Sequence, residues 1–264
     1  MKTIKQLFRK GSDYKLGIVL SGGGARGFAH AGILKALNEK GIYPEIVSGV
    51  SAGAIVGALY ADGHSPDEIL EIFSRNDSFF KYVKFTVPRK SLFKAEGLRR
   101  NLSDHLEGKS FDDLEKPLYV AATNISSGKI TYFQEGSVLD AVLASAAIPV
   151  LFDPVKIDGD LYVDGGVLDN FPLKPLEKQC KKVIGVSLNP IRPEGEFTNL
   201  LSIAERTFRL SVSSNLDLKI RRCSMVFEPQ ELGEFGLLDA AKGQEMFEIG
   251  YRTTLDKLAT DSKF

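Results

Sequence analysis

Leu16-Gly-Ile-Val-Leu20-Ser-Gly-Gly-Gly24-Ala-Arg-Gly27 is an apolar run of strand length that breaks abruptly into glycines. Phe28 to Lys40 then carries apolar residues at helical spacing and stops before Gly41, a residue suited to a helix C-cap. The order repeats at once. Glu45-Ile-Val-Ser48 predicts a second strand, Gly49-Val-Ser-Ala-Gly53 a tight turn, and Ala54 to Ala61 a helix. Strand, glycine turn and helix in direct succession predict α/β architecture, with a parallel sheet sandwiched by helices. Ser65-Pro66-Asp67-Glu68 opens a third helix, with an N-cap, a proline at the first helical position and an acid at the third.

Lys116 to Asn124 and Lys129 to Phe133 predict two strands joined by a turn, and Val138 to Ala147 an apolar helix stopped by Pro149. Val155-Lys-Ile and Leu161-Tyr-Val flank Asp158-Gly159, a hairpin signal. Lys182 to Leu188 predicts a buried strand; Thr198 to Arg222 and Asp239 to Leu258 are mostly helical, with Leu200, Leu201, Ile203, Phe208, Leu210 and Leu216 expected in a core or subunit contact. A chain of 264 residues without repeat or linker predicts a polar N-terminal segment, 1–14, and one domain, 15–264. Thirty-four basic residues cancel thirty-four acidic ones, which excludes a long-range field for collecting nucleic acid. Two cysteines suit a reducing compartment, and no window approaches the roughly 20 apolar residues of a membrane span, so a cytoplasmic location is expected.

Gly22 to Gly27 fits G-x-G-x-x-G, whose backbone N–H groups approach an anionic oxygen. A dinucleotide site would need an acid at the end of the second strand, whereas Glu45 begins it. That end holds Gly49-Val-Ser51-Ala-Gly53, the G-x-S-x-G form of a nucleophile elbow, in which Gly49 and Gly53 serve the backbone and Ser51 the chemistry. The only histidines are His30, His64 and His105; the last two are expected as exposed polar residues, so a triad ending in a late histidine is excluded. A carboxylate is then the base, and Tyr162-Val-Asp164-Gly165-Gly166 supplies Asp164 at a strand end, with two glycines to turn the chain. Asp158-Gly159-Asp160 fails the calcium-loop pattern because Tyr162 occupies the third ligand position, and no metal or cofactor is expected.

The segment Gly17 to Gly32, then Gly49 to Gly53, then Asp164-Gly-Gly166, closely resembles the bacterial patatin-like phospholipases, in the family order and most clearly from Lys15 to Pro172. The resemblance implies a three-layer α/β/α fold and hydrolysis of phospholipid or other fatty-acyl esters by a dyad of Ser51 and Asp164. It also implies that Gly23 and Gly24, with the rest of the loop Gly22, Ala25, Arg26 and Gly27, supply oxyanion donors. Arg26 has two candidate roles, stiffening this loop or orienting a phosphate head group. Phe79 to Lys94 carries five cations and five aromatics without an acid, which suggests peripheral contact with a membrane surface. Two other classes remain open at this point: a nucleotide-binding oxidoreductase and a catalytically silent lipid-binding or regulatory protein.

Overall fold

The computed structural model describes residues 13–74, 96–191 and 216–260, with positions 203, 206, 207, 210 and 211. In chain order the elements are Tyr14–Leu20 (β1), Phe28–Glu39 (α1), Ile46–Val50 (β2), Ala52–Ala61 (α2), Pro66–Ser74 (α3) and Glu96–Leu106 (α4). Leu118–Asn124 (β3), Lys129–Phe133 (β4), Val138–Ser145 (α5), Val155–Ile157 (β5), Asp160–Asp164 (β6) and Gly166–Asp169 (α6) follow. Cys180–Val186 (β7), Leu216–Ile220 (α7), Met225–Phe227 (β8) and Gly243–Thr260 (α8) complete the described chain. Most of Met1 to Tyr14, all of Phe79 to Lys94, and Leu200, Leu201 and Phe208 lie outside the described residues.

The sheet is parallel through β3, β2, β1, β7 and β8, and antiparallel where β4, β5 and β6 join. Both faces are covered, as a parallel sheet requires. Within β1 the side chains alternate: Ile18 and Leu20 enter the larger core with α1 and α2, while Val19 joins Phe171, Leu173 and Leu176 on the other face. Every residue of α2 is buried, which explains its unrelieved Ala-Gly-Ile-Val-Leu composition. The third helix starts as its sequence predicts: Ser65 Oγ accepts the Glu68 N–H, and Glu68 accepts the Ser65 N–H at 2.8 Å. Asp158 and Gly159, both at positive φ, close the expected hairpin.

One local feature decides the position of the site. β2 runs parallel to β3 as far as Val50, which lies opposite Ala121. β6 runs the other way and ends at Asp164, opposite Ala122. Since β4 occupies the other edge of β3 along residues 120–124, β2 and β6 share one edge and meet head to head. Their last residues are thereby neighbours, although far apart in the chain.

Two expectations need correction. β8 was not foreseen, because three residues on a sheet edge, paired only to β7, carry too short a pattern to read. Ile203 and Leu210, expected in a core or a subunit contact, are about half exposed, which removes the core alternative for these two.

Candidate active site

Ser51 caps the N-terminus of α2, its carbonyl accepting the N–H groups of Ala54 and Ile55. It has φ 53 and ψ −123, a left-handed backbone that a side chain adopts at a cost. The small neighbours in the motif have a steric cause: a Cβ on Gly49 would lie 2.3 Å from the Gly53 carbonyl, and one on Gly53 would lie 2.2 Å from the Leu20 carbonyl. The turn is fixed from behind by Ser145, at the end of α5. Its Oγ accepts the Ser51 N–H at 2.8 Å and donates to the Ala121 carbonyl at 2.6 Å.

Ser145 was assigned no chemistry from sequence, and its partners are too distant in the chain for spacing to reveal them. Ser145→Ala would strand two buried backbone groups. It is expected to lower stability by about 1–3 kcal/mol, read from urea unfolding, and to reduce kcat more than it raises KM.

The Asp164 carboxylate is buried beside the Ser51 side chain; Gly166 N–H donates to Oδ1 at 2.7 Å. Burial pushes the carboxyl up to about 6, against the Ser51 side chain and the Gly166 N–H, which favour the charged form. Backbone holds the strand end in place through Asp164 N–H, which reaches the Ala147 carbonyl at 2.8 Å. Gly165 turns the chain where a Cβ would meet the Ala121 carbonyl at 2.2 Å.

The glycine loop approaches from β1. Its N–H groups divide into two sets. Gly22 N–H points to the Asn170 carbonyl, Ala25 N–H to the Leu237 carbonyl and Arg26 N–H to the Gly23 carbonyl. The N–H groups of Gly23 and Gly24 have no acceptor among the described residues. Gly24 has φ 58, and a Cβ there would lie 2.5 Å from the Leu237 carbonyl.

Arg26 is fully buried, which removes the head-group role. Its guanidinium donates to the Phe235 carbonyl and, at 3.0 Å, to Asn189, whose amide in turn donates to the Gly22 carbonyl at 2.7 Å. The remaining role, stiffening the loop, is the one its contacts serve. His30 Nε2 lies 2.8 Å from the Ser21 carbonyl, so this nitrogen carries the proton. Burial lowers the ring to about 4 and keeps it neutral.

The other two histidines are not the exposed residues expected. His64 Nε2 and His105 Nδ1 are 3.1 Å apart, with His64 Nδ1 3.3 Å from Asp62. They lie at the far end of α2, a helix of ten residues and hence about 15 Å long, so neither reaches Ser51. Glu45 accepts the Lys15 N–H at the amino end of the sheet, away from the glycine loop and unavailable to a ribose there.

Ser51 and Gly24 open onto a cleft that is continuous with solvent. Its walls are apolar: Ile55 of α2, Ile72 and Phe73 of α3, Leu98 and Leu102 of α4, and Leu237. Ser51 is the only polar side chain lining it among the described residues.

The sequence matches the family described as Patatin-like phospholipase over residues 18–177. The chain belongs to the patatin-like phospholipase family. It is 27% identical to Lysophospholipase NTE1 of Coccidioides immitis over 281 residues, covering 94% of this chain and 18% of that protein. It is 32% identical over 183 residues to the NTE family protein Rv1063c of Mycobacterium tuberculosis, covering 69% and 51% respectively. A patatin-like phospholipase domain-containing protein of Caenorhabditis elegans, ZK370.4, is 29% identical over 90% of this chain and 20% of its own length. The likeness therefore extends beyond bacteria, and the chain spans about a fifth of the fungal and nematode relatives. Among solved structures, VipD from Legionella pneumophila shares the fold, with a TM-score of 0.55 at 17% identity over 94% of this chain and 67% of that one. No helix among the described residues is long and apolar enough to cross a membrane.

Proposed function

We propose that the protein hydrolyses fatty-acyl esters of lipids, with Ser51 as nucleophile and Asp164 as general base. The observation that carries this is the buried Asp164 carboxylate held beside Ser51, the one polar side chain that lines an otherwise apolar cleft among the described residues. A dyad needs a carboxylate basic enough to accept the serine proton near neutrality, and a buried Asp164 at about 6 meets that need.

Attack of Ser51 Oγ on the ester carbonyl transfers its proton to Asp164. The tetrahedral intermediate collapses to an acyl-enzyme, and the leaving alcohol takes the proton from Asp164. Asp164 next takes a proton from water, the hydroxide attacks the acyl carbonyl, and the fatty acid departs as Ser51 regains its proton. The oxyanion of each intermediate is held by the unengaged N–H groups of Gly23 and Gly24, while the N-terminus of α2 favours negative charge at the same point. The acyl chain lies in the apolar cleft, which offers a charged head group no partner among its described walls. Relatives named as lysophospholipases support the same substrate class.

Hydrolysis of a chromogenic acyl ester, together with a fluorophosphonate adduct mapped to Ser51, tests the reading. A protein that turns over no acyl ester and takes up no label would refute it. Gly24→Ala tests the oxyanion site: the added methyl displaces the loop from Leu237. A fall of about 10²–10³ in kcat is expected, with KM nearly unchanged.

A further inference from the structure

We propose that the carboxyl edge of the sheet is a docking rim for a lipid–water interface, formed by Ile125, Val150, Leu161, Val167 and Leu168. This rests on the acyl hydrolase reading, since it concerns how the cleft is presented to its substrate.

The argument begins with topology. β3 continues for three residues past the point where β2 ends, and β6 pairs with that extension. The β3–β4 turn and the start of β6 therefore project beyond the carboxyl ends of the parallel strands, on the side where Ser51 lies. Ile125 follows β3 and donates its N–H to the Leu161 carbonyl, so these two side chains share the projection. Val167 and Leu168 follow Asp164 and Gly166 directly, on α6. Val150 sits three residues after Ala147, whose carbonyl holds Asp164. All five flank the proposed catalytic loops, and all are exposed, Val150 at 69% and the others at 39–51%.

Val150 is the most telling. The turn closed by the Leu151 and Phe152 N–H groups on the Ile148 carbonyl directs Ile148 and Phe152 into the cleft. Between them Val150 is held outward at φ 72, a left-handed backbone disfavoured for a β-branched residue. A strained backbone that holds an apolar side chain outward between two cleft-lining residues gains nothing in water. At a lipid surface it lets an acyl chain pass from the interface into the cleft without exposing its methylenes to solvent. The exposed charges on the same projection are balanced, Lys129 and Lys156 against Asp158 and Asp160. Contact is therefore apolar rather than electrostatic, and the matching surface is a zwitterionic one.

The test is flotation with phosphatidylcholine vesicles at low and high salt, alongside hydrolysis of a soluble short-chain ester. Wild type is expected to float at both salt concentrations. Val150→Asn and Leu168→Gln are each expected to lower the partition coefficient roughly tenfold, with soluble-ester hydrolysis unchanged. Asparagine tolerates the left-handed backbone better than valine, so Val150→Asn removes the apolar contact without adding strain. Variants that float like wild type would overturn the proposal. So would binding confined to anionic vesicles and released by salt, or a wild-type dimer in sedimentation that the substitutions dissolve. If wild type turns over no acyl ester and takes up no fluorophosphonate label yet the substitutions still weaken flotation, the rim stands and the hydrolase reading fails.

Discussion

Ser51→Ala is expected to lower acyl ester hydrolysis by on the order of 10⁶-fold, the scale seen when a serine hydrolase loses its nucleophile. The proposed mechanism forms a covalent bond to this oxygen, and no other polar side chain among the described residues lines the cleft to replace it. The same position carries a stability signature. At φ 53 and ψ −123 the backbone suits glycine better than any residue with a Cβ. Ser51→Gly should therefore be as inactive as Ser51→Ala yet more stable than wild type, by about 1–3 kcal/mol. Chemical denaturation of the three proteins, beside their rates, checks both halves. If Ser51→Ala retains substantial activity, the elbow reading fails; if Ser51→Gly is no more stable, the backbone strain is not where the dihedral angles put it.

Asp164→Asn is expected to cost on the order of 10⁴-fold in kcat, because the amide oxygen keeps the Gly166 hydrogen bond but the side chain accepts no proton. In wild type, activity should rise with pH through about 6, as Asp164 loses its proton, and then level off. Stability runs the opposite way. The folded carboxyl holds its proton up to about pH 6, whereas the unfolded one releases it near 3.8. Between those values the folded state binds more protons, so stability declines as pH rises across that window and stays lower above it. The penalty is on the order of 3 kcal/mol. Asp164→Asn should therefore melt at a higher temperature than wild type at pH 8, with the difference vanishing towards pH 4. A difference that persists unchanged at pH 4 would mean that burial of the charge is not its origin.

The first sixty residues could be read for fold because each signal was local: an apolar run, a glycine turn, a helical period, and then the same again. Ser51 stood out for the same reason, since the steric demands of its turn are met within five residues. Asp164 was reached by a different route, through the positions of three histidines and an acid at a strand end. Its pairing with Ser51 was implied by the family resemblance and not by spacing, because the meeting of β2 and β6 depends on β3, an element that contains neither residue. Ser145 and Arg26 show the same limit. The roles of these residues lie in contacts to Ala121 and Ser51, and to Phe235 and Asn189, which only tertiary structure brings near. The His64–His105 pair joins the α2–α3 turn to α4, and neither local context hints at the other.

The head-to-head meeting of β2 and β6 also orders events during synthesis. Ribosomes deliver β1, α1, β2 and α2 before β6, and that portion contains the proposed nucleophile but not the proposed base. Contacts of long sequence separation form late and slowly, and β6 can seat only once β3 is in place to receive it. A nascent or truncated chain ending before β6 would thus lack the proposed proton acceptor. Catalytic competence should appear as one of the last properties acquired, so the rate at which activity returns after dilution from denaturant would time the docking of β6, as distinct from the collapse of the helical core.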